Sequence, residues 1–460
     1  MKLAIIIACL LGSPVVRAHG TIPTDNTISF GPGAGGVLLG TNFGGILRNP
    51  DGTLSFICES AVTGVQQTVD IWLWRSTGRI IATQTGAGFV RGVFESDPTA
   101  CGYTTVIGTE DYLVADLVVD PIDDTGFYAV GANDTVDMFM RGSGGEGSIL
   151  YVAEQRAVAR GVRAAGGHAY ATFTLTGSVT LVHHQSSGLT TVVHPLAEGE
   201  SLRPLGVSPT NPTTLWLVRT GATGDTLLRS EDAGLTLTPV LTVDARIGGF
   251  AIAGDNVWVQ SARWGVERST DGGRTFTRLG GSPLGNCLAL DPDGLLHACA
   301  VPWVDGYVLG VSDDGMTFRS LIPAYDDTRA IQCASMPGTT ATCTDELDFL
   351  RGLYGFTAPD TVEVGEAGPE GDTSEPTSAE TAEPEPGATG RSSDGCMGGS
   401  ASGSCVGLML FFSIATLWMA AFADVGASLI VANGLRLLRF GASPVPRPQH
   451  EHAQGIDHAH

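Results

Sequence analysis

Ser269-Thr-Asp271-Gly-Gly273-Arg-Thr275-Phe276 is the stretch of this chain that decides its fold. Two further stretches repeat its pattern, Ser230-Glu-Asp232-Ala-Gly234-Leu-Thr236-Leu237 and the one-residue-shorter Ser312-Asp-Asp314-Gly315-Met-Thr317-Phe318. Serine and aspartate side chains bond backbone groups two or so residues further on, and glycine supplies a left-handed turn conformation. The threonine and the apolar residue after it then begin a strand. Each stretch therefore predicts a hairpin turn.

Weaker copies of this turn occur upstream when the sequence is aligned at the last, aromatic position of the pattern. Two of them are Asn49-Pro-Asp51-Gly-Thr53-Leu-Ser55-Phe56 and Asp97-Pro-Thr-Ala-Cys101-Gly102-Tyr103, and two eroded copies end near Leu150 and Thr191. The residues at this position of the seven copies are 56, 103, 150, 191, 237, 276 and 318. A repeat of roughly 40–50 residues made of short strands is the signature of a β-propeller with four-stranded blades. The spacing predicts seven blades.

The pattern S-x-D-x-G-x-T-aromatic resembles the Asp-box (BNR) repeat of sialidase-like β-propellers. The resemblance implies an all-β propeller, here over residues 19–357, in which the box residues are structural and lie in blade turns away from the central funnel. The positions that take this structural role are Asn49, Asp51, Ser230, Asp232, Gly234, Ser269, Asp271, Gly273, Thr275, Phe276, Ser312, Asp314, Gly315, Thr317 and Phe318.

Short apolar segments separate the turns, as a propeller requires. They are broken by glycine, asparagine and aspartate, and no amphipathic helix of ordinary length interrupts them. The clearest predicted strands are residues 37–41, 112–119, 214–218, 256–260 and 307–311.

The charge of the chain bears on its partners. It has 48 acidic against 25 basic residues and a formal net charge of −23. Phosphate backbones are bound by clustered cations, so this balance argues against nucleic acid as a partner. No motif in the sequence predicts a cofactor.

The amino terminus predicts export. Met1-Lys2 is followed by an apolar run and by the small-residue site Val16-Arg17-Ala18, which is the pattern of a secretory signal peptide. We expect residues 1–18 to be removed by cleavage after Ala18, so that the mature chain begins at His19.

Cysteine usage fits an oxidising compartment. Six cysteines fall in the propeller region: Cys58, Cys101, Cys287, Cys299, Cys333 and Cys343. Cys287 and Cys299 flank a turn at residues 291–294 and are predicted to pair across a hairpin. Pairing Cys333 with Cys343 would close a short loop and leave Cys58 with Cys101. Six cysteines allow many connectivities, so these pairings are hypotheses.

The chain changes character after the propeller. Residues 358–394 are acidic and rich in Pro, Thr and Glu, and they have too few apolar residues to offset the entropy of ordering. They predict a disordered linker. Within the next segment, residues 395–423, the run at 406–423 has no charged residue and is long enough to span a bilayer as a helix. Residues 424–460 form an amphipathic, His-rich tail.

The Gly395-Cys396 pair before this span resembles the myxobacterial C-terminal sorting signal (MYXO-CTERM). The resemblance implies processing near Cys396 and display on the surface of a Gram-negative cell. The chain departs from the family pattern after the span, where Asp424 stands in place of an Arg-rich cluster. The charge asymmetry around the span still favours a propeller outside and the basic residues of the tail inside.

The repeat does not decide the activity. A sialidase uses three arginines to grip a carboxylate, a tyrosine nucleophile with a glutamate base, and an aspartate acid. The Arg-Ile-Pro start motif of that family is absent, and spacing assigns no cluster among Arg48, Arg75, Arg141, Arg229 and Arg268. No carboxylate pair stands out for another glycosidase. Catalytic residues therefore stay unassigned.

The adjacent histidines His183 and His184 raise the question of a metal site. Neighbouring residues of a strand point to opposite faces, which makes them a poor chelate. The sequence therefore predicts no metal site.

The sequence favours an exported, surface-anchored, monomeric propeller that recognises a glycan or protein without catalysis. The alternative from another class is a secreted sialidase-like or other glycoside hydrolase, which would need converging Arg, Tyr and acidic side chains in the funnel. A third possibility is a propeller that serves only as a scaffold for assembly.

Overall fold

The computed structural model describes residues 25–33, 35–65, 68–84, 90–153 and 157–354. Within these ranges the chain forms seven antiparallel blades of four strands each, which confirms the predicted seven-bladed propeller. The predicted signal peptide, acidic linker, sorting segment, membrane span and tail lie outside the described residues. Among the helices that are described, none has the length and apolar content needed to cross a membrane.

The first four blades follow one another along the chain. Blade 1 contains β1 (Asp25–Phe30), β2 (Val37–Thr41), β3 (Gly44–Arg48) and β4 (Leu54–Ile57). Blade 2 contains β5 (Ile71–Trp74), β6 (Ile80–Thr83), β7 (Val93–Ser96) and β8 (Tyr103–Thr105). Blade 3 contains β9 (Leu113–Val119), β10 (Phe127–Ala132), β11 (Asp137–Ser143) and β12 (Glu146–Val152). Blade 4 contains β13 (Val158–Ala165), β14 (His168–Leu175), β15 (Ser178–Gln185) and β16 (Gly188–Pro195).

The remaining blades keep this order. Blade 5 contains β17 (Ser201–Val207), β18 (Leu215–Gly221), β19 (Gly224–Ser230) and β20 (Thr238–Val243). Blade 6 contains β21 (Ile247–Ala253), β22 (Asn256–Ser261), β23 (Gly265–Ser269) and β24 (Thr277–Arg278). Blade 7 contains β25 (Leu288–Leu290), β26 (Leu296–Cys299), β27 (Leu309–Ser312) and β28 (Arg319–Ile322).

The first strands of the blades form the inner ring of the propeller. Each of them contacts the first strand of the next blade, and β25 of blade 7 contacts β1 of blade 1. The repeated turns of the sequence all connect the third and fourth strands of their blades. Because the strands alternate in direction, these turns lie at one end of every blade.

The core of the propeller lies between blades. One cluster joins blades 5 and 6 through Trp216, Val218 and Val257, and another joins blades 6 and 7 through Trp258 and Leu296. Phe276 and Phe318, the aromatic residues of two repeated turns, pack against these two clusters. Apolar side chains from both sides of each blade are therefore removed from water, which is the main source of stability.

The ring is closed from its outer side. After blade 7 the chain forms β29 (Thr328–Ala330), which pairs in parallel with β4 as a fifth strand on the outer edge of blade 1. The helix α3 (Pro337–Tyr354) follows and packs against the short helix α1 (Glu59–Thr63). A third helix, α2 (Pro302–Asp305), lies between β26 and β27.

The disulfides follow from this closure and correct two predicted pairings. Cys287 pairs with Cys299 across the hairpin, as predicted, with their Cα atoms 5.2 Å apart. The other two predicted pairs are wrong, because Cys58 pairs with Cys343 and Cys101 pairs with Cys333. Cys58 precedes α1 and Cys343 lies in α3, so helix packing brings them together. Local spacing favoured Cys333 with Cys343, but ring closure places both of them beside blades 1 and 2.

Glu59, at the start of α1, is buried under α3. Burial, together with the nearby Glu346 and Asp70 carboxylates and against a hydrogen bond from the Val69 amide, raises the pKa of its carboxyl from the ordinary value of 4.5 to about 8. Between pH 4.5 and pH 8 the Glu59 carboxyl therefore keeps its proton in the folded protein, whereas in the unfolded chain it has lost it.

We expect the free energy of unfolding to fall across this window by up to about 1.4 kcal/mol per pH unit because of Glu59. Glu59→Gln keeps the shape of the side chain without a titrating group, so its stability should fall less steeply with pH. Urea unfolding of the wild type and the variant between pH 5 and pH 8 measures the two slopes. Equal slopes would show that Glu59 is already ionised in the folded state.

Candidate functional site

The centre of the inner ring contains a cavity of about 190 Å³. Every blade contributes to its wall through its first strand or through the residues just before that strand. The lining residues are Asn26, Thr27, Ile28, Leu73, Asp116, Leu117, Val118, Arg163, Leu205, Gly248, Gly249, Phe250, Asn286, Cys287 and Leu288. Propellers bind ligands at this central channel, so it is the first candidate site.

Asp116 and Arg163 are the charged side chains in this lining, and they bond each other. Arg163 Nη1 donates to Asp116 Oδ2 at 2.5 Å, while both side chains remain partly accessible. The same carboxylate accepts hydrogen bonds from the backbone amides of Val162, at 3.0 Å, and Leu117, at 2.9 Å. The Asp116 carboxylate is therefore held by the protein and neutralised by a cation.

Arg163 is fixed by backbone groups as well. Its guanidinium donates to the carbonyl oxygens of Val162, at 2.5 Å, and Leu205, at 3.2 Å. A second arginine, Arg203, lies on the neighbouring strand β17 and donates to the Ile247 carbonyl oxygen. Burial, and then the Arg163 cation, lower the pKa of Arg203, while the Asp116 carboxylate opposes this. Arg203 also lies near the Asp225 carboxylate and is not among the described lining residues, so the charges of the channel wall are the paired Asp116 and Arg163.

The opposite part of the wall is apolar and closely packed. The Phe250 ring on β21 lies 5.3 Å from the Trp216 ring, measured between centroids. A Cβ atom at Gly206 would overlap the Phe250 ring, so the glycine makes room for it. The side chains of Asn26 and Asn286 line the same cavity and add hydrogen-bonding groups. The channel therefore offers the Asp116–Arg163 ion pair, an aromatic ring and amides to a small ligand group.

The repeated turns contribute no residue to the described lining of this cavity, and their polar groups bond within the turn. Ser269 Oγ donates to Asp271 Oδ1 at 2.7 Å and accepts from the Gly273 amide at 2.8 Å. Asp271 also accepts from the Thr275 hydroxyl at 2.6 Å and from the Thr275 amide at 3.0 Å. These bonds, led by the Ser269 hydroxyl, lower the pKa of Asp271 well below its ordinary value.

The repeated turns of blades 5 and 7 use the same kinds of bonds. Asp232 accepts from Ser230 at 2.8 Å and from the Thr236 hydroxyl at 2.7 Å. Asp314 accepts from Ser312 at 2.9 Å and from the Thr317 amide at 2.7 Å, and its pKa is lowered to about 2. In blade 1 the bonds run from Thr53 to Asp51 and from Asn49 to Thr53.

The arginines singled out in the sequence have partners outside the cavity lining. Arg48 donates to the Gly35 carbonyl oxygen, Arg75 pairs with Glu95, Arg141 pairs with Asp120, Arg229 donates to the Gly272 carbonyl oxygen, and Arg268 donates to Asn256. Each side chain thus has an interaction within the propeller wall.

The two adjacent histidines lie on opposite faces of blade 4. The His183 ring stacks on Tyr170, and its Nε2 atom lies 2.8 Å from His168 Nδ1. The His184 ring instead lies beside Tyr128 of blade 3. In the described ranges, no group of three or more His, Cys, Asp or Glu side chains is arranged to hold a metal ion.

A second candidate surface is the loop that contains α2. Trp303 is 65% exposed and the adjacent Val304 is 59% exposed. The loop is held in place by Asp305, whose Oδ2 atom accepts hydrogen bonds from the amides of Val301, at 2.8 Å, and Leu284, at 3.1 Å. An exposed tryptophan on a fixed loop is a common anchor for protein and ligand contacts.

The sequence analysis did not identify Asp116, Arg163, Arg203, Phe250 or Trp303. A signal for Asp116 exists in retrospect, because it is the one charged residue of the apolar strand β9, whereas Arg163 shares β13 with a second arginine, Arg160. That signal becomes useful only when the strand is known to be the innermost of its blade.

No protein-family model matches the sequence, and no curated protein matches it. Among solved structures, hydrazine synthase of Kuenenia stuttgartiensis is similar with a TM-score of 0.51 and 11% sequence identity, over 66% of this chain and 99% of that chain. The GH74 enzyme of Niastella koreensis has a TM-score of 0.38 and 12% identity, over 67% of this chain and 66% of that chain. At 11% identity the first of these likenesses shows the fold alone.

Proposed function

We propose that this protein is an exported, surface-anchored β-propeller of the Asp-box type that recognises a glycan or a protein without catalysing a reaction. The channel binds one group of the ligand, and the Trp303 loop contacts another part of the same or a second ligand. The acidic segment at 358–394 then serves as a spacer, and the apolar segment at 406–423 as the anchor.

One observation carries the proposal. Asp116, the carboxylate that lines the described channel, is bonded to Arg163 and to two backbone amides. A glycosidase needs two carboxyl groups about 5–9.5 Å apart on either side of the scissile bond, one of which carries a proton. Among the described residues that line the channel, no second Asp or Glu accompanies Asp116. The side chains of Arg163, Phe250 and Asn286 are suited to holding a polar ligand instead.

The purified, oxidised full chain should therefore hydrolyse none of a panel of fluorogenic glycosides that includes a sialoside. The same sample, labelled and applied to a glycan array and to immobilised cell-surface protein, should bind a ligand. Arg163→Gln removes the channel cation and should weaken this binding at least tenfold, because a charged hydrogen bond is worth about 1.5–3 kcal/mol.

Arg319→Gln is the matched control, because Arg319 is an exposed arginine of blade 7 whose nearest carboxylate is Asp313 at 3.6 Å. This variant should bind as the wild type does. Hydrolysis of any glycoside that Asp116→Asn abolishes would make the protein a hydrolase. Binding that neither Arg163→Gln nor Trp303→Ala weakens would show that recognition takes place elsewhere.

A further inference from the structure

The outer strand of blade 4, β16, is an unusually open sheet edge. Its eight residues contain no Asp, Glu, Lys or Arg, and four of them in succession, from Thr190 to Val193, are β-branched. Leu189 is 38% exposed and Val193 is 64% exposed. Among the described strands, only β15 pairs with it. Such an edge can accept a further strand.

The other blades protect their outer edges in the ways that natural sheets use. The edge of blade 1 is covered by β29, and the outer strands of blades 2 and 6, β8 and β24, have only three and two residues. Blade 5 has Pro239 in its outer strand, and blade 7 begins its outer strand with Arg319. Blade 3 likewise begins its outer strand with a charged residue, Glu146. In blade 4 the one such feature is Pro195, the last residue of β16, so the stretch from Gly188 to His194 has none of them.

The register of β16 shows which backbone groups face outward. Gln185 and Gly188 flank a two-residue turn and therefore form a hydrogen-bonded pair, after which bonded pairs alternate along the hairpin. Gly188, Thr190, Val192 and His194 thus direct their N–H and C=O groups toward β15. Leu189, Thr191 and Val193 direct theirs toward the open edge.

A cavity of about 380 Å³ lies beside this edge, on one face of blade 4. Thr191 and Val193 line it together with Thr180 and Phe173 from the inner strands, and Tyr151 of blade 3 forms its far wall. The Tyr151 and Phe173 rings lie 5.3 Å apart. The residues that offer backbone bonds at the edge are therefore the same residues whose side chains face the cavity.

We infer that β16 is a docking site for an extended, uncharged peptide segment of another protein, which adds a fifth strand to blade 4. Residues of the segment that pair with Leu189, Thr191 and Val193 present their side chains on the cavity side of the sheet, since directly opposite residues share a face. An apolar side chain at every second position can then enter the cavity. Backbone bonds supply affinity, and the cavity supplies specificity.

Charge favours such a segment over a second copy of this chain. The described edge and cavity lining contain no charged residue, so a charge opposite them would lose water without gaining a partner. The chain itself has a net charge of −23, and two copies held edge to edge would repel each other, whereas a short neutral segment would not.

The inference is tested with a fluorescent peptide that alternates valine and threonine over eight residues, with lysines only outside this stretch. Fluorescence anisotropy should show binding to the purified full chain. Val193→Lys places a charge at the edge and should weaken binding at least tenfold. Thr190→Lys places the same charge on the opposite face of the same strand and should leave binding unchanged. Far-UV circular dichroism and melting temperature establish that both variants are folded.

The peptide itself provides a second control. For a segment that runs antiparallel to β16 with its valines in the cavity, N-methylation of the valines removes the N–H groups that face β16, and it should abolish binding. N-methylation of its threonines removes N–H groups on the far edge and should be tolerated. Equal effects of the two methylations, or of the two lysine variants, would overturn the inference. Dimerisation seen by light scattering and abolished by Val193→Lys would overturn it in favour of a second copy.

Discussion

Replacing Cys58, Cys101, Cys333 and Cys343 together with alanine is expected to lower the free energy of unfolding by about 9 kcal/mol. The two disulfides join residues 285 and 232 positions apart, so each closes a loop that contains most of the propeller. The chain-entropy cost of such loops in the unfolded state grows with the logarithm of their length. A loss of this size is comparable with the whole stability of an ordinary domain.

Removing only one of these disulfides should have a smaller effect, about 4 kcal/mol. When one of the two disulfides is intact, the other closes a much smaller loop, which consists of residues 58–101 and 333–343 only. Urea unfolding of the full chain, monitored by tryptophan fluorescence, measures the midpoint of each variant. Cys287→Ala with Cys299→Ala is the control, because this bond spans 12 positions and is worth about 3 kcal/mol in the same treatment.

The order of the variants matters more than the absolute values. If the four-cysteine variant were no less stable than the control, then the contacts of β29 and α3 would suffice to close the ring. The disulfides would then be redundant with this noncovalent closure.

Gly273→Ala is expected to cause the second largest loss, about 2–5 kcal/mol. Gly273 has a φ angle of +76°, where an L-residue with a Cβ atom is strained by about 1–2 kcal/mol. An added Cβ would also overlap the indole of Trp216, a buried residue of the preceding blade. Overpacking of this kind adds about 1–3 kcal/mol.

The neighbouring Gly272 provides the matched control. Its φ angle is +74°, but the nearest atom to an added Cβ belongs to the end of the long Arg274 side chain, at the ordinary contact distance of 3.4 Å. Gly272→Ala should therefore show the conformational strain without the clash. Urea midpoints of the two variants separate the contributions, and Trp216→Leu should recover part of the loss in Gly273→Ala. Equal losses at the two glycines would mean that the turn does not pack tightly against Trp216.

The blade count could be predicted from the sequence because the turn chemistry is local. The hydroxyl of Ser269, the carboxylate of Asp271 and the backbone of Gly273 and Thr275 interact within seven residues, so their spacing survives in the sequence. The strand at Val37–Thr41 was predicted with its correct bounds for a similar reason, since its buried residues form one uninterrupted run.

The channel could not be predicted in this way. Whether a side chain faces the channel depends on the register of its strand, and irregularities interrupt that register between Val130 and Gly131 and between Ala159 and Gly161. Both lie close to Asp116 and Arg163, so counting along the strands cannot place these two side chains. The pairing of Cys58 with Cys343 could not be predicted for a related reason, because only a closed ring brings the first and the last elements of the propeller together.

One signal for the closure was present and was overlooked. Cys343, Leu347 and Leu350 are spaced as one face of a helix, and all three are buried in α3. This spacing predicts a helix that packs against another element through its cysteine. Ring closure by such a helix would have been a reasonable prediction, although the spacing does not identify the blade against which the helix packs.

The disulfide between Cys58 and Cys343 also determines how the propeller responds to mechanical load. A tension applied between residue 25 and residue 354 passes along the chain to Cys58, crosses the covalent bond to Cys343, and leaves through the last turns of α3. Blades 2 to 7 lie within the bypassed loop and carry none of this tension. A pull on the carboxyl end can extend blade 1, and with it the part of the channel wall at Asn26, Thr27 and Ile28, while the outer edge of blade 4 keeps its shape.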